Sequence, residues 1–206
     1  VPLHILDHPI AQDTLMSLRD ATTNSEQFRR LAKRISFLLL AEATRDLPTK
    51  SATVRTPVGP AEGRRFATNI VVVPVLRAGL GMLDAVLEML PEARVGHIGL
   101  QRDESTAIAS QYYSKVPGGL TDTRVLMIDP MLATGGSAVA ALNLLREAGA
   151  TDIHLLCIVA APEGIAEVER HHPTAHIYTP VVDQGLNPHK FIVPGLGDFG
   201  DRLYGT

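Results

Sequence analysis

A single cysteine, Cys157, stands among the 206 residues. No internal disulfide can form, so a reducing compartment, the cytoplasm, is the expected setting. The cysteine lies in the apolar stretch LLCIVAA, which reads as a small buried hydrophobe rather than a reactive thiol. There is no basic excess: 19 lysines and arginines meet 22 acids, for a net charge of −3. Nucleic-acid binders use such an excess to neutralise phosphates, so that class is disfavoured, a local patch aside. No apolar run approaches the ~20 residues of a membrane span. The opening VPLHILDHP lacks the basic-then-apolar layout of a secretory signal. Neither an internal repeat nor a low-complexity tract is found. What is left is an ordinary globular composition, 45% hydrophobic and 20% charged, in a length that suits one domain with a full core.

The hydrophobic rhythm then gives the path of the chain. Residues 25–45 carry apolar side chains at 28, 31, 32, 35, 38, 39 and 43, a helical spacing with Asn24 or Ser25 as cap. SATVRTPVGPAEGRRF, β-branched and broken by proline and glycine, predicts a short hairpin or extended excursion. Beyond it, NIVVVPVL (69–76), RVGHIGL (94–100), RVLMI (124–128), DIHLLCIVAA (152–161) and AHIYTPVV (175–182) read as strands. Helices are expected after Gly81 through Leu90, over SAVAALNLLREAG and over PEGIAEVERHH, the last with proline in its first turn. Apolar strands alternating with helices predict an α/β fold: a parallel sheet, buried on both faces, flanked by helices. The polar stretch 102–119 reads as a long loop, and the last two dozen residues as a small lid.

Chemistry gathers where strands end. VLMIDPMLATGGSA places Asp129 just past a strand, then Thr134, Gly135, Gly136 and Ser137 before the next helix. Glycine-turn amides and a helix N-terminus make an anion site, and two hydroxyls add donors. The acid beside them accepts hydrogen bonds, so a phosphorylated sugar diol satisfies both halves. A strand-to-helix turn closed by a capping acid is the plain alternative. The stretch is no P-loop, since its glycines are adjacent and no lysine follows. Gly195, Gly197 and Gly200 match the dinucleotide spacing, but six residues remain after them, too few for the helix and acid that fingerprint requires. Arg77, after VPVL, and Arg102 both fall at strand ends, where open α/β sheets bind ligands. His171, His172 and His176 lack metal-ligand spacing, and Tyr112 and Tyr113 fit loop packing or substrate closure equally.

DPMLATGGS resembles the phosphoribosyl-diphosphate (PRPP) motif of the type I phosphoribosyltransferases, and in its Asp-Pro-Met form the uracil branch of that family. VPVLRAGLGM, RDE, VAAPEG, DQGLN and PGLGDFGD follow in the family's order, so the resemblance spans nearly the whole chain. It implies one phosphoribosyltransferase domain over 1–206, with a hood at about 184–206 plus the N-terminal segment and a flexible loop at about 102–119. It implies that uracil N1 takes the phosphoribosyl group of PRPP, giving UMP and diphosphate in pyrimidine salvage. Arg77 and Arg102 would contact the pyrophosphate, with Asp129 and both arginines as the catalytic set. Asp129, Pro130, Met131, Leu132, Ala133, Thr134, Gly135, Gly136 and Ser137 would hold the ribose and 5′-phosphate. Ile192, Gly197, Asp198 and Phe199 would hold uracil, with Asp198 also facing PRPP. Magnesium would ride on PRPP rather than in a protein cage, Asp198 reaching it through water. The resemblance further implies a homodimer or larger homo-oligomer and raises a GTP effector. Phe199 departs from the alanine common in the family, and a ring there would narrow the base pocket. An RNA-binding regulator, a transferase for another base and a non-catalytic nucleotide-binding module are the competing readings. Salt-sensitive RNA binding, base preference and pyrophosphate release separate them.

Overall fold

The computed structural model describes residues 1–102 and 109–206, with the backbone alone at 102, 109 and 110. The chain opens with β1 (Leu3–Ile5), α1 (Pro9–Arg19) and α2 (Ser25–Ala43), followed by a hairpin of β2 (Thr49–Arg55) and β3 (Pro60–Phe66). The alternating part runs β4 (Asn69–Leu76), α3 (Leu80–Met89), β5 (Arg94–Val95), β6 (His97–Arg102), β7 (Ala109–Lys115), β8 (Thr123–Ile128), β9 (Met131–Leu132), α4 (Gly136–Glu147), β10 (Asp152–Leu156), β11 (Val159–Ala160), α5 (Pro162–His171) and β12 (His176–Thr179). The C-terminal segment adds β13 (Gly185–Leu186), β14 (Ile192–Val193) and α6 (Phe199–Tyr204).

The main sheet runs in the order β1-β12-β10-β8-β4-β6-β7, with β5 also on β4. Every pairing in it is parallel except β6 with β7. The period of two divides each apolar run between two cores. Ile70 and Val72 of β4 face the core built with α1, α2 and α3, alongside Leu126 and Ile128 of β8. Val71, Val73 and Val75 face the other core, with Val125, Met127 and the apolar side of α4. Continuous hydrophobicity was the right signature for strands covered on both sides. α2 is closed at its start by Asn24, whose side chain accepts from the Gln27 amide at 2.9 Å. Its residues Phe28, Ala32, Ile35 and Leu39 are fully buried.

Two expectations change. Of the stretch read as a loop, Ala109–Lys115 is strand, antiparallel to β6, with a register shift at Gly99/Leu100. Asp103–Ile108, the centre of that expected flexible loop, lie outside the described residues. At the other end, β1 and α1 occupy a segment to which the sequence assigned no element, and β1 extends the sheet along β12. No helix among the described residues is long and apolar enough to cross a membrane.

The register decides where the chemistry meets. Pro74 of β4 pairs with Ile128 of β8, and Ile128 pairs with Leu156 of β10. Arg77 and Asp129 therefore leave neighbouring parallel strands at the same carboxyl edge.

Candidate active site

A cavity of about 370 Å³ opens at that edge. Asp129, Met131, Leu132, Ala133, Gly135 and Ser137 form one wall, Arg77 and Ala78 another. Ile192, Gly197, Asp198 and Phe199 come from the C-terminal segment. Residues separated by more than a hundred positions thus converge on one cavity. Pro130, Thr134 and Gly136 belong to the same loop without lining the cavity; the Pro130 carbonyl accepts from the Ile158 amide at 2.9 Å and ties the loop to the neighbouring strand end. The Arg102 backbone ends β6 at this edge, and its side chain lies outside the described residues.

The loop after β8 is built to present amides. Gly135 caps α4 in the left-handed region, at φ 83°, and no side chain caps that helix. A β-carbon at Gly135 would come within 2.7 Å of Glu167 Cβ, so both its dihedral and its neighbours require glycine. The first turn of α4 therefore meets the cavity with its N–H groups and the positive end of its dipole. Behind the loop, Gly164 brings α5 so close that a β-carbon would sit 2.6 Å from the Ala133 carbonyl oxygen. The Asp129 Oδ1 accepts from the Met131 amide at 3.4 Å, which turns the chain under the carboxylate.

Arg77 follows β4 across a cis Leu76–Arg77 peptide. It is exposed, its guanidinium lies 5.9 Å from the Tyr204 ring centroid, and its carbonyl accepts from the Tyr204 hydroxyl at 3.3 Å. Asp198 caps α6, accepting from the Asp201 amide at 2.9 Å, while lining the cavity.

Phe199 differs from expectation. Its ring is 1% exposed and packs edge-on to Phe28 at 5.1 Å between centroids. On the other side it abuts Gly81, where a β-carbon would lie 3.0 Å from its Cε1. The ring is packed as a core side chain, and the residue also borders the cavity.

His189, Lys190 and Phe191 also line the cavity and were missed. They form a tight tip, with Asn187 Oδ1 accepting the His189 and Phe191 amides at 2.9 and 3.0 Å. Lys190 is the one non-glycine residue at positive φ among the described residues, at 67°. The Asn-Pro pair at 187–188 was the available turn signal. Tyr112 lies against Gly99 on the sheet: a β-carbon there would be 2.6 Å from its ring. Cys157 is fully buried, and burial pushes its thiol up to about 12.

The family model for uracil phosphoribosyltransferase matches residues 5–206. The chain belongs to the uracil phosphoribosyltransferase family. A uracil phosphoribosyltransferase of Shouchella clausii is 49% identical over 205 residues, 99% of this chain and 98% of that one. One of Dictyoglomus thermophilum is 50% identical over 203 residues, 98% of each. Among solved structures, the AQ2163 protein from Aquifex aeolicus superposes with a TM-score of 0.95 at 36% identity, covering 99% of this chain and 98% of its own. Adenine phosphoribosyltransferase from Trypanosoma brucei, solved with AMP, pyrophosphate and ribose-5-phosphate, shares the fold at a TM-score of 0.59 and 13% identity, over 93% of this chain and 85% of that one. These relatives share the α/β architecture of a mostly parallel sheet flanked by helices.

Proposed function

We propose that this site transfers the 5-phosphoribosyl group of PRPP to N1 of uracil, releasing diphosphate and UMP. One observation carries the reading: an acid at a strand end, an uncapped helix N-terminus and an arginine share one cavity with a glycine-rich backbone segment. The Ser137 hydroxyl and the α4 amides receive the 5′-phosphate, which the helix dipole favours. Asp129 accepts the ribose hydroxyls and fixes the sugar. As the bond to pyrophosphate breaks, the ribose gains positive charge, and the Asp129 carboxylate lies beside it. The departing pyrophosphate gains negative charge, which the Arg77 guanidinium meets with a planar fork of donors, joined by Arg102. A stabiliser of this kind is worth about 3–4 kcal/mol by comparison with an oxyanion-hole donor. Uracil is neutral and is held by its edge. Backbone N–H and C=O groups at Ile192 and Gly197 pair with O2, N3–H and O4, and cytosine reverses the pattern at position 4.

Asp129 and Asp198 are single carboxylates on the cavity, which suits magnesium held mainly by phosphate oxygens and water. Bound there, the ion would neutralise pyrophosphate charge. Segment 184–206 with the N-terminal segment acts as the hood, and the chain works in the cytoplasm. Homo-oligomerisation belongs to the same reading: among the described residues β2 and β3 pair only with each other, and Val58 at their tip is 99% exposed. A GTP effector is retained as part of the family reading, without a residue assigned to it. Incubation with PRPP, magnesium and each of uracil, cytosine, hypoxanthine and orotate tests the function. UMP and pyrophosphate should form with uracil alone; turnover of another base in preference would assign the site elsewhere, and UMP binding without pyrophosphate release would make it a binding module.

A further inference from the structure

We infer that Arg19 and Asp183 form a positioning pair for base recognition, an inference that rests on the reading of Ile192 and Gly197 as uracil contacts. Arg19 ends α1, far from the carboxyl edge in sequence, and Asp183 precedes β13. Their side chains are 16% and 4% exposed. The guanidinium donates two bonds to the carboxylate, Nη1 to Oδ2 at 2.8 Å and Nη2 to Oδ1 at 2.6 Å. The pair does not close on itself. Asp183 Oδ2 also accepts the Gly195 amide at 2.9 Å, and Arg19 Nη1 also donates to the Gly195 carbonyl at 2.7 Å. Both backbone polar groups of one residue are thus held by one ion pair.

Gly195 is the middle of the turn that joins the two uracil contacts. It stands at φ 58°, and a β-carbon on it would lie 2.2 Å from the Ile192 carbonyl oxygen. Two residues later comes Gly197. Downstream, Arg202 Nη1 donates to the Leu196 carbonyl at 2.8 Å, and the Phe199 ring is sunk in the core. The base-facing residues therefore sit between fixed points. A neutral ring offers no charge to recruit a mobile partner. Its recognition is only as sharp as the spacing between the backbone groups that read it, and a misplacement of about 1 Å at a reacting centre can cost roughly a hundred-fold. Lysine in place of Arg19 would keep the charge but lose the planar fork that donates two parallel bonds to Asp183, so the Gly195 turn would be held less rigidly.

The test compares the full-length chain with Arg19→Lys and Asp183→Asn, each at a temperature where its thermal melt shows it folded. Steady-state kinetics are recorded for uracil and PRPP separately, together with the uracil-to-cytosine ratio of kcat/KM. The pair predicts a rise of about ten- to a hundred-fold in KM for uracil, a PRPP KM within about twofold of wild type, and a fall in the uracil-to-cytosine ratio. An unmoved uracil KM overturns the inference, as does a PRPP KM that climbs by the same factor, because either marks a merely structural bond. A wild-type chain that makes no UMP would overturn the functional reading and this inference with it, whereas normal wild-type turnover with unmoved variants overturns the inference alone.

Discussion

Asp129 is half-buried at the end of a fully buried strand, with its own loop turned beneath it. Asp129→Asn keeps the shape and removes the charge proposed to lie beside the developing cation. The expected result is a loss of about 10²–10³ in kcat, by comparison with removal of an oxyanion-hole donor, with a smaller change in KM for PRPP. Steady-state kinetics check it, and an unchanged kcat would remove the residue from its proposed role. Cys157 gives the opposite forecast. With its thiol raised to about 12 by burial, it should not react with a thiol reagent at pH 8 until the protein unfolds. Fast labelling of the native chain would contradict the packing. Both residues were legible in the sequence, because an acid just after an apolar run and a cysteine inside one each have a single natural position on a sheet. Phe199 was not. Its chemistry as a ring was plain, but the direction it points depends on Phe28 and Gly81, which no local pattern connects to it. Lys190 was missed for a related reason: its place at the cavity follows from a five-residue tip rather than from any run.

At the scale of elements, the loop after β8, the proposed phosphate cradle, depends on what backs it. α5 lies against the loop through Gly164, with both Ala133 and Leu132 carbonyl oxygens under 3 Å from the site of an added β-carbon. Gly164→Ala should push α5 and the loop apart, costing about 1–3 kcal/mol of stability as overpacking does and raising KM for PRPP. Thermal melts and PRPP titration check the two effects, and a variant with native melting and native KM would show the loop independent of α5. The long strands and helices of the alternating region were readable because their periodicity is long and unambiguous. Short elements carry no such pattern. β1 has three residues and owes its existence to pairing with β12. α6 has six, and is fixed by the Asp198 cap and contacts to α2. β7, ASQYYSK, has no continuous apolar run and reads as a loop until β6 supplies its hydrogen bonds. Local sequence fails where the partner, rather than the segment, specifies the structure.

For the whole molecule, register builds a second polar assembly away from the cavity. His4 lies opposite Tyr178, His154 opposite His176, and Asp152 opposite Arg124. The rings of His4 and Tyr178 stack at 4.3 Å, those of His154 and His176 at 4.5 Å. Arg124 bonds Asp152 and Asp46, at 2.6 and 2.9 Å. Burial pushes Asp152 upward, but bonds from His154 and Arg124 outweigh it and hold the carboxyl down, from 3.8 to about 2. Its folded value lies below its unfolded one, so its stabilisation is present above pH 3.8 and is lost as the pH falls through about 2. Asp152→Asn should be less stable than wild type at neutral pH, and the gap should close in acid. Burial, with the charges of His154 and His4, lowers His176 below 6.5. The neutral ring is the folded form, so stability should decline as the pH drops below 6.5, and His176→Phe should flatten that limb. Denaturant melts across pH check both, and parallel curves for variant and wild type would refute them. None of this was visible in the sequence, since it needs the register of four strands. The Arg19–Asp183 bond spans 164 positions and holds the Gly195 turn, which lies between the cavity-lining residues Ile192 and Gly197. On the proposed reading the residues that would cradle the anion all precede position 138, whereas those that would meet the base, Ile192, Gly197, Asp198 and Phe199, all follow Asp183, so the ion pair sits at the junction between two halves of one cavity.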